Sequence, residues 1–370
     1  MKRALDGVIA ALKDFDDRRI DLLVGEPCFE PPEEIRSAFV RNARKPVPGY
    51  GPPAGIAELR SVLAARIGGP GFDPERVVVT HGAKGGLLAL LAALVEYGDE
   101  VIHPLPCYPA YPAMVRRLGG VPVGVAERGP DFAGWAAAAA AKMGERTRAM
   151  VLSSPSNPSG SVVPSGELRS LAAECGERRV RLILDEAYAA FHLDGGGFDP
   201  GADPVLEALV RVGSASKSLA IPGWRMGWVV ADEELAASVT GAQAMLLNPP
   251  AIPPQQALLA LPEVPGSFFE TNRCEVRTRM EALVGAMSST GFECALPSGG
   301  FYLWIDIRDR LGNETSVEWC ERLARDEGIG FWPGEDYGCP GFVRLALPQG
   351  DAWRDDVAEL EQRLQQSKRV

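Results

Sequence analysis

The chain reads as an α/β protein: a mainly parallel sheet covered by helices on both faces, joined to a smaller α+β domain. Three observations predict this. Short β-branched or apolar runs at 76–80, 99–103, 149–152 and 180–184 alternate with helical segments as far as Val230, the alternation that builds parallel sheets. Composition then shifts after Asn248-Pro249-Pro250 and Pro262. At 370 residues the chain also exceeds the ~250–300 at which one core stops growing.

Residues 1–24 are expected to form a short helix or arm rich in Asp and Arg, closing on the apolar run 20–24. Gly25-Glu26-Pro27 breaks it. Pro31-Pro32 before Glu33-Glu34 reads as a helix start, because proline fits the first turn and acids there complement the helix dipole. Residues 45–55 form a Pro/Gly-rich loop carrying Tyr50. Ile56, Leu59, Leu63 and Ile67 have helical spacing.

The run 76–80 is a strand, and His81-Gly82-Ala83-Lys84-Gly85-Gly86 leads from it into a buried helix at 87–95. A strand, a small-residue turn and a helix aim free backbone N–H groups at an anion; the alternative is a plain βα turn. The strand 99–103 runs into the stiff segment Pro104 to Tyr111, where Tyr108 either packs on a helix or faces a ligand. The alanines after Trp135 predict a surface helix. The strand 149–152 empties into a turn, Ser153 to Gly160, holding Asn157. The strand 180–184 ends in Asp185-Glu186-Ala187-Tyr188, whose first acid would elsewhere serve as a helix N-cap.

The stretch 212–225, VGSASKSLAIPGWR, organises the rest. Small residues Gly213 to Ser216 let backbone approach a ligand and present Lys217, while Pro222 and Gly223 stop a helix from continuing. Arg225 follows, opening the apolar run 226–230. A lysine where a strand gives out, with hydroxyls before and an arginine after, suits a covalent amine beside a phosphate. In parallel sheets ligands sit beyond the carboxyl ends of the strands. Gly82, Tyr108, Asn157, Asp185 and Lys217 all lie just past such ends. Further on, a charged helix is expected over 270–287, then strands at 301–307 and 342–347 flanking a helical 317–325, and a last charged helix.

Hydrophobic content of 46% and charged content of 24% are those of a soluble globular protein. A net charge of −11 argues against nucleic acid or an anionic membrane as partner. The 7 cysteines are odd in number and scattered, with no Cys-x-x-Cys, so neither a metal site nor a disulfide framework is expected. Asp6 and Lys13 interrupt any signal-peptide apolar region, and a cytoplasmic location is expected.

The pieces GEPCFEPPE, YGPPAGIAELR, VTHGAKGGLLAL, PCYPAY, SSPSNPSG, LILDEAY, SASKSLAIPGWRMGW, PSGGFYLW and GFVRLAL stand between about Gly25 and Leu347. In this order the chain resembles the class I/II aminotransferases, pyridoxal-phosphate enzymes of fold type I, and within them the bacterial aspartate- and aromatic-type transaminases. The resemblance implies an N-terminal arm with part of the small domain at 1–32, a large cofactor-binding domain at 33–263 and a C-terminal small domain at 264–370.

It also implies roles. Lys217 would form the Schiff base with pyridoxal 5'-phosphate and, once freed, move the substrate proton. Asp185 would keep the pyridine nitrogen protonated, making the ring an electron sink. Asn157 and Tyr188 would hydrogen-bond the ring's phenolic oxygen, and Tyr108 would stack on the ring. Backbone at Gly82, Ala83 and Lys84, with Ser214 and Arg225, would hold the phosphate. Tyr50 would reach the phosphate of a neighbouring subunit, implying a homodimer with shared sites. Arg344, with Gly25 and Asn157 nearby, would bind the substrate α-carboxylate.

The implied function is transfer of an amino group from an L-amino acid to a 2-oxo acid in ping-pong half-reactions. Elimination, cyclisation or oxidation on the same cofactor is the alternative. A remote one takes Ser214 to Lys217 as the Ser-x-x-Lys of an acyl transferase, but that family's companion Ser-Asp-Asn and Lys-Thr-Gly elements are missing. No Lys or Arg lies between Arg225 and Arg273. In dicarboxylate-specific relatives an arginine from this region grips the distal carboxylate, so a neutral or apolar amino donor is favoured unless Arg18 or Arg19 compensates.

Overall fold

The strands form because their side chains can be buried on both faces. Val77, Val78 and Val79, Met150, Val151 and Leu152, and Leu182, Ile183 and Leu184 are all almost completely buried, the continuous apolar pattern of a covered sheet. The computed structural model describes residues 3–15, 18–46, 49–127, 132, 134–194 and 209–367. Its central sheet has seven strands: β1 (Val77–Thr80), β2 (Glu100–Leu105), β3 (Val121–Ala126), β4 (Thr147–Ser153), β5 (Arg181–Asp185), β6 (Val210–Ser214) and β7 (Gly227–Val230). Their spatial order is β1-β7-β6-β5-β4-β2-β3. All neighbours pair in parallel except β7, which is antiparallel to both β1 and β6.

That reversal decides where the chemistry sits. The residues following β1, β2, β4, β5 and β6 emerge at one edge of the sheet. Because β7 runs the other way, Arg225, two residues before it, emerges there too. The expected strands are all present within a residue or two. In the large sheet and the helix after its first strand, two features go beyond the sequence expectation. Strand β3 lies at the sheet edge, where Pro122 is tolerated. The buried helix starts at Gly82 rather than at residue 87, so the small-residue turn is itself the first helical turn.

The second core is built on a three-stranded antiparallel sheet in the order β9-β10-β8, from β8 (Tyr302–Asp306), β9 (Trp332–Pro333) and β10 (Phe342–Ala346). Helices Gly266–Ser289, Ser316–Glu327 and Trp353–Gln366 cover it. Thr315 and Glu318 close a reciprocal capping box at the start of the second. The N-terminal helix Leu5–Lys13 packs into this core through Leu5, Val8 and Leu12. Ile20 then pairs with Ile329, and Ala346 N donates to Leu22 O at 2.7 Å. The chain start is therefore fastened to the C-terminal unit, and residues 23–26 are carried to the edge of the large sheet.

Tight glycine packing holds that edge together. A Cβ on Gly227 would lie 2.5 Å from the carbonyl carbon of Gly82 and 2.7 Å from Gly213 O. Such overlap leaves no room for even one methyl group. Gly227→Ala should therefore cost about 1–3 kcal/mol of stability. Gly241→Ala, in open space within the helix Glu233–Leu246, should gain up to about 1 kcal/mol. Chemical denaturation of the two variants measures both signs.

Candidate active site

A cavity of about 290 Å³ opens at the carboxyl edge of the large sheet, between it and the second core. Lys217 enters from the turn after β6. Ser214 caps the four-residue helix Ala215–Ser218, its Oγ accepting from Ser216 N at 3.1 Å. A helix so short, followed by Pro222, is not the long helix that a Ser-x-x-Lys nucleophile opens. Lys217 Nζ donates to Gly25 O at 2.6 Å. Burial holds this ammonium below its ordinary value, against the opposing pull of Tyr302 and Glu26. The amine is consequently easier to deprotonate and a better nucleophile than a surface lysine.

Asp185 ends β5, the strand paired with β6, and is almost fully buried. Its Oδ2 accepts from Tyr111 Oη at 2.8 Å and its Oδ1 from Ala187 N at 3.1 Å. Burial outweighs these two bonds and pushes the carboxyl up to about 6. A buried acid raised this far is short of a cation.

Anion-binding capacity lies at the start of the helix Gly82–Leu94. Its N-cap, His81, makes no side-chain cap bond, and the first turn carries no acid, so its N–H groups remain available. Gly82 has φ of 68°, and a Cβ there would lie 2.7 Å from Arg225 Nη2. Only glycine lets the guanidinium sit against that turn. Arg225 is anchored by donating to Pro222 O at 2.8 Å and to His81 O at 3.3 Å. Ala83, Lys84 and Ser214 complete this wall.

Arg344, from β10, is buried among aromatic rings. Its guanidinium carbon lies 4.0 Å from the Tyr302 ring centre and 4.5 Å from that of Trp332. Nη1 donates to Asn157 Oδ1 at 3.1 Å and Nη2 to Leu23 O. Its Nε is buried without a partner among the described residues. A guanidinium fixed by two acceptors, stacked between rings and still holding free donors, is prepared for a planar carboxylate.

Of the residues singled out in the sequence, Gly25, Tyr108, Asn157, Asp185 and Tyr188 line this cavity together with Lys217, Arg225 and Arg344. Gly82 sits directly behind the wall. Tyr50 does not line it and is 93% exposed. Arg18 ion-pairs with Asp356 and Glu359 of the C-terminal helix. The cavity also brings in Tyr111, Tyr302 and Trp332, which sequence reasoning passed over. Tyr111 and Tyr302 stood inside quoted motifs, but nothing in the spacing said which aromatic of each motif faces inward. Among the described residues no group of three His, Cys, Asp or Glu is placed to hold a metal, and no helix is long and apolar enough to cross a membrane.

The family profile for aminotransferase class I and II matches residues 17–359. The chain is 34% identical to the probable aspartate/prephenate aminotransferase of Thermus aquaticus, over 90% of this chain and 88% of that one. It is also 34% identical to an arginine–pyruvate transaminase of Pseudomonas aeruginosa, over 89% and 85%. A double mutant of Thermus thermophilus aspartate aminotransferase superposes with a TM-score of 0.90 at 30% identity, over 99% of this chain and 96% of that one. The chain belongs to the class I and II aminotransferases and is an aminotransferase, in a family that is dependent on pyridoxal phosphate in general.

The raised Asp185 carboxyl has a consequence for stability. Its value in the folded protein lies above the ordinary one, so the folded state binds more protons than the unfolded state between the two values, and stability falls as pH rises through that window. Asp185→Asn should stabilise the cofactor-free protein by about 2–3 kcal/mol at about pH 8, and the gain should vanish below about pH 4. Urea unfolding at the two pH values measures it; a pH-independent difference would contradict the burial argument.

Proposed function

We propose that this aminotransferase binds pyridoxal 5'-phosphate in the 290 Å³ cavity, carries it on Lys217, and moves an amino group from an L-amino acid to a 2-oxo acid in two half-reactions. The observation that supports this most is the joint presence of three groups in one cavity. They are the Lys217 amine, the Asp185 carboxyl and the Arg344 guanidinium, with an acid-free helix start beside Arg225. Among the described residues Asp185 accepts only from Tyr111 and Ala187, Arg225 donates only to backbone carbonyls, and Arg344 Nε has no partner, so each can take up a charged group that the cofactor or substrate would bring.

When bound, the cofactor supplies an aldehyde carbon for amine exchange and a pyridine ring that draws electrons from the substrate α-carbon. Asp185 would hold the pyridine nitrogen in its protonated form, which in turn would keep the carboxylate ionised. The N–H groups of Ala83 and Lys84, with Ser214 and Arg225, would hold the phosphate. Tyr108 would cover one face of the ring, and Asn157 and Tyr188 would donate to its phenolic oxygen. Arg344 would grip the substrate α-carboxylate and so fix the α-hydrogen in reach of Lys217 Nζ. Lys217, its ammonium weakened by burial, would move that proton from the substrate α-carbon to the cofactor's former aldehyde carbon, and in the reverse sense with the 2-oxo acid.

Two copies of the chain are part of the proposal. Tyr50 at 93% and Met245 at 90% exposure are large side chains left in solvent by one chain alone, and Tyr50 makes no contribution to its own cavity. A second copy would cover them and receive Tyr50 at its phosphate wall. The relatives named above carry names that differ in substrate, aspartate/prephenate in one and arginine–pyruvate in the other, so the donor side chain is left to a screen of amino acids. With Arg18 engaged by the C-terminal helix, a neutral or apolar donor is the first class to try.

Purified protein given pyridoxal 5'-phosphate should gain a visible absorbance band that Lys217→Ala lacks, with turnover falling by about 10²–10⁴-fold or more. One equivalent of the amino donor should leave the cofactor as pyridoxamine 5'-phosphate. Protein that takes up no cofactor would refute the assignment. Arg344→Ala should raise KM for amino acids by about 10²-fold, through loss of charge-assisted hydrogen bonds. Equal loss for an amine without a carboxylate would remove Arg344 from this role.

A further inference from the structure

Tyr302 belongs to none of the roles above, yet it touches three residues that have one: Tyr188, Arg344 and Gly25. Its Oη lies 2.6 Å from Tyr188 Oη. Its ring face carries the Arg344 guanidinium at 4.0 Å. Its edge packs so closely on Gly25 that a Cβ there would fall 2.4 Å from Tyr302 Oη. Gly25 is in turn the residue whose carbonyl holds Lys217. Tyr302 reaches this position from β8 of the second core, whereas Tyr188 follows β5 of the large sheet. The hydroxyl pair therefore joins the two halves of the molecule inside the cavity.

A phenol has one proton to give, so only one hydroxyl of the pair can be the donor. If Tyr188 donates to Tyr302, the Tyr302 proton needs a second acceptor. Tyr188 Oη is the one hydrogen-bond partner of Tyr302 Oη among the described residues, and the guanidinium over its ring offers only donors. If Tyr302 donates to Tyr188, its proton is used and the Tyr188 proton stays free for an acceptor in the cavity that Tyr188 lines. Both hydroxyls line the cavity, so the Tyr188 role decides between them: a Tyr188 that gives its one proton to the cofactor's phenolic oxygen can only accept from Tyr302.

We propose that Tyr302 is the positioning residue for Tyr188: its hydroxyl donates to Tyr188 Oη and so directs the Tyr188 proton at the cofactor's phenolic oxygen. The inference rests on the cofactor and on the Tyr188 role proposed above. An oxygen that accepts one hydrogen bond donates a stronger one, because the two bonds polarise in the same direction. Tyr302 thus strengthens Tyr188 as a donor without touching the cofactor. The bound cofactor's ring oxygen would then stay ionised without sharing a proton with the nitrogen that Lys217 contributes, and that nitrogen would lose its proton at lower pH.

The test reads the pH midpoint of the visible absorbance of the cofactor-loaded protein. Tyr302→Phe removes the hydroxyl and keeps the ring beneath Arg344, so a purely structural role predicts an unmoved midpoint. The proposal predicts an upward shift of about half a unit to one unit. Tyr188→Phe should raise the midpoint further. Adding Tyr302→Phe to Tyr188→Phe should then change it by less than about 0.2 unit, since the Tyr302 effect passes through Tyr188. An unchanged or lowered midpoint in Tyr302→Phe, or an equal shift in both backgrounds, would overturn the inference. An unmutated protein with no titrating band would overturn the cofactor assignment and this inference with it, whereas a titrating parent beside an unmoved Tyr302→Phe overturns this inference alone.

Discussion

Three glycines without room for a methyl group, Gly82, Gly213 and Gly227, set the distance between the helix Gly82–Leu94 and strand β6, which leads to Lys217. Gly227 lies against the backbone of both of the others, and a Cβ on Gly213 would fall 2.1 Å from the Trp228 ring nitrogen. Strand β7 can squeeze between β1 and β6 only because its first residue is this small. Reversed in direction, it delivers Arg225 to the edge where the parallel strands deliver Gly82, Asp185 and Lys217. Loosening this packing by one methyl group would move the cation wall away from the amine.

The second constraint comes from the far end of the chain. The segment after the N-terminal helix is pinned to the C-terminal core by the Ile20–Ile329 pairing and the Leu22–Ala346 hydrogen bond. It then supplies two backbone carbonyls to the cavity: Leu23 O to Arg344 and Gly25 O to Lys217. The guanidinium and the amine are consequently registered against one short stretch of backbone. A shift of the second core relative to the large sheet would alter both together. Electrostatics follow from the same enclosure, because burial lowers the Lys217 ammonium and raises the Asp185 carboxyl. Both groups move towards neutrality without a bound partner, and each regains its charge when an opposite one arrives.

Much of this arrangement is legible in the sequence. The strand ends could be read because apolar runs stop abruptly at small or polar residues, and the parallel-sheet rule then grouped Gly82, Tyr108, Asn157, Asp185 and Lys217. The antiparallel insertion was not read, although the short link from Ser214 to Gly227 leaves little room for the helical crossover a parallel neighbour needs. Strand β3, VPVGVA, escaped notice because its half-exposed position needs no continuous apolar run. Tyr302 was missed for another reason. In a strand alternate residues face opposite sides, and the motif alone does not say which side holds the ligand. Trp332 stands outside every quoted motif, in a two-residue strand. Tyr111 became visible only through its bond to Asp185, a contact between residues 74 positions apart.

The central claim is that one particular amine carries the cofactor. Borohydride reduction of the protein loaded with pyridoxal 5'-phosphate, followed by peptide mapping by mass spectrometry, tests it directly. The account predicts a single stable phosphopyridoxyl adduct, on Lys217. An adduct on another lysine such as Lys84, or none at all, would contradict it.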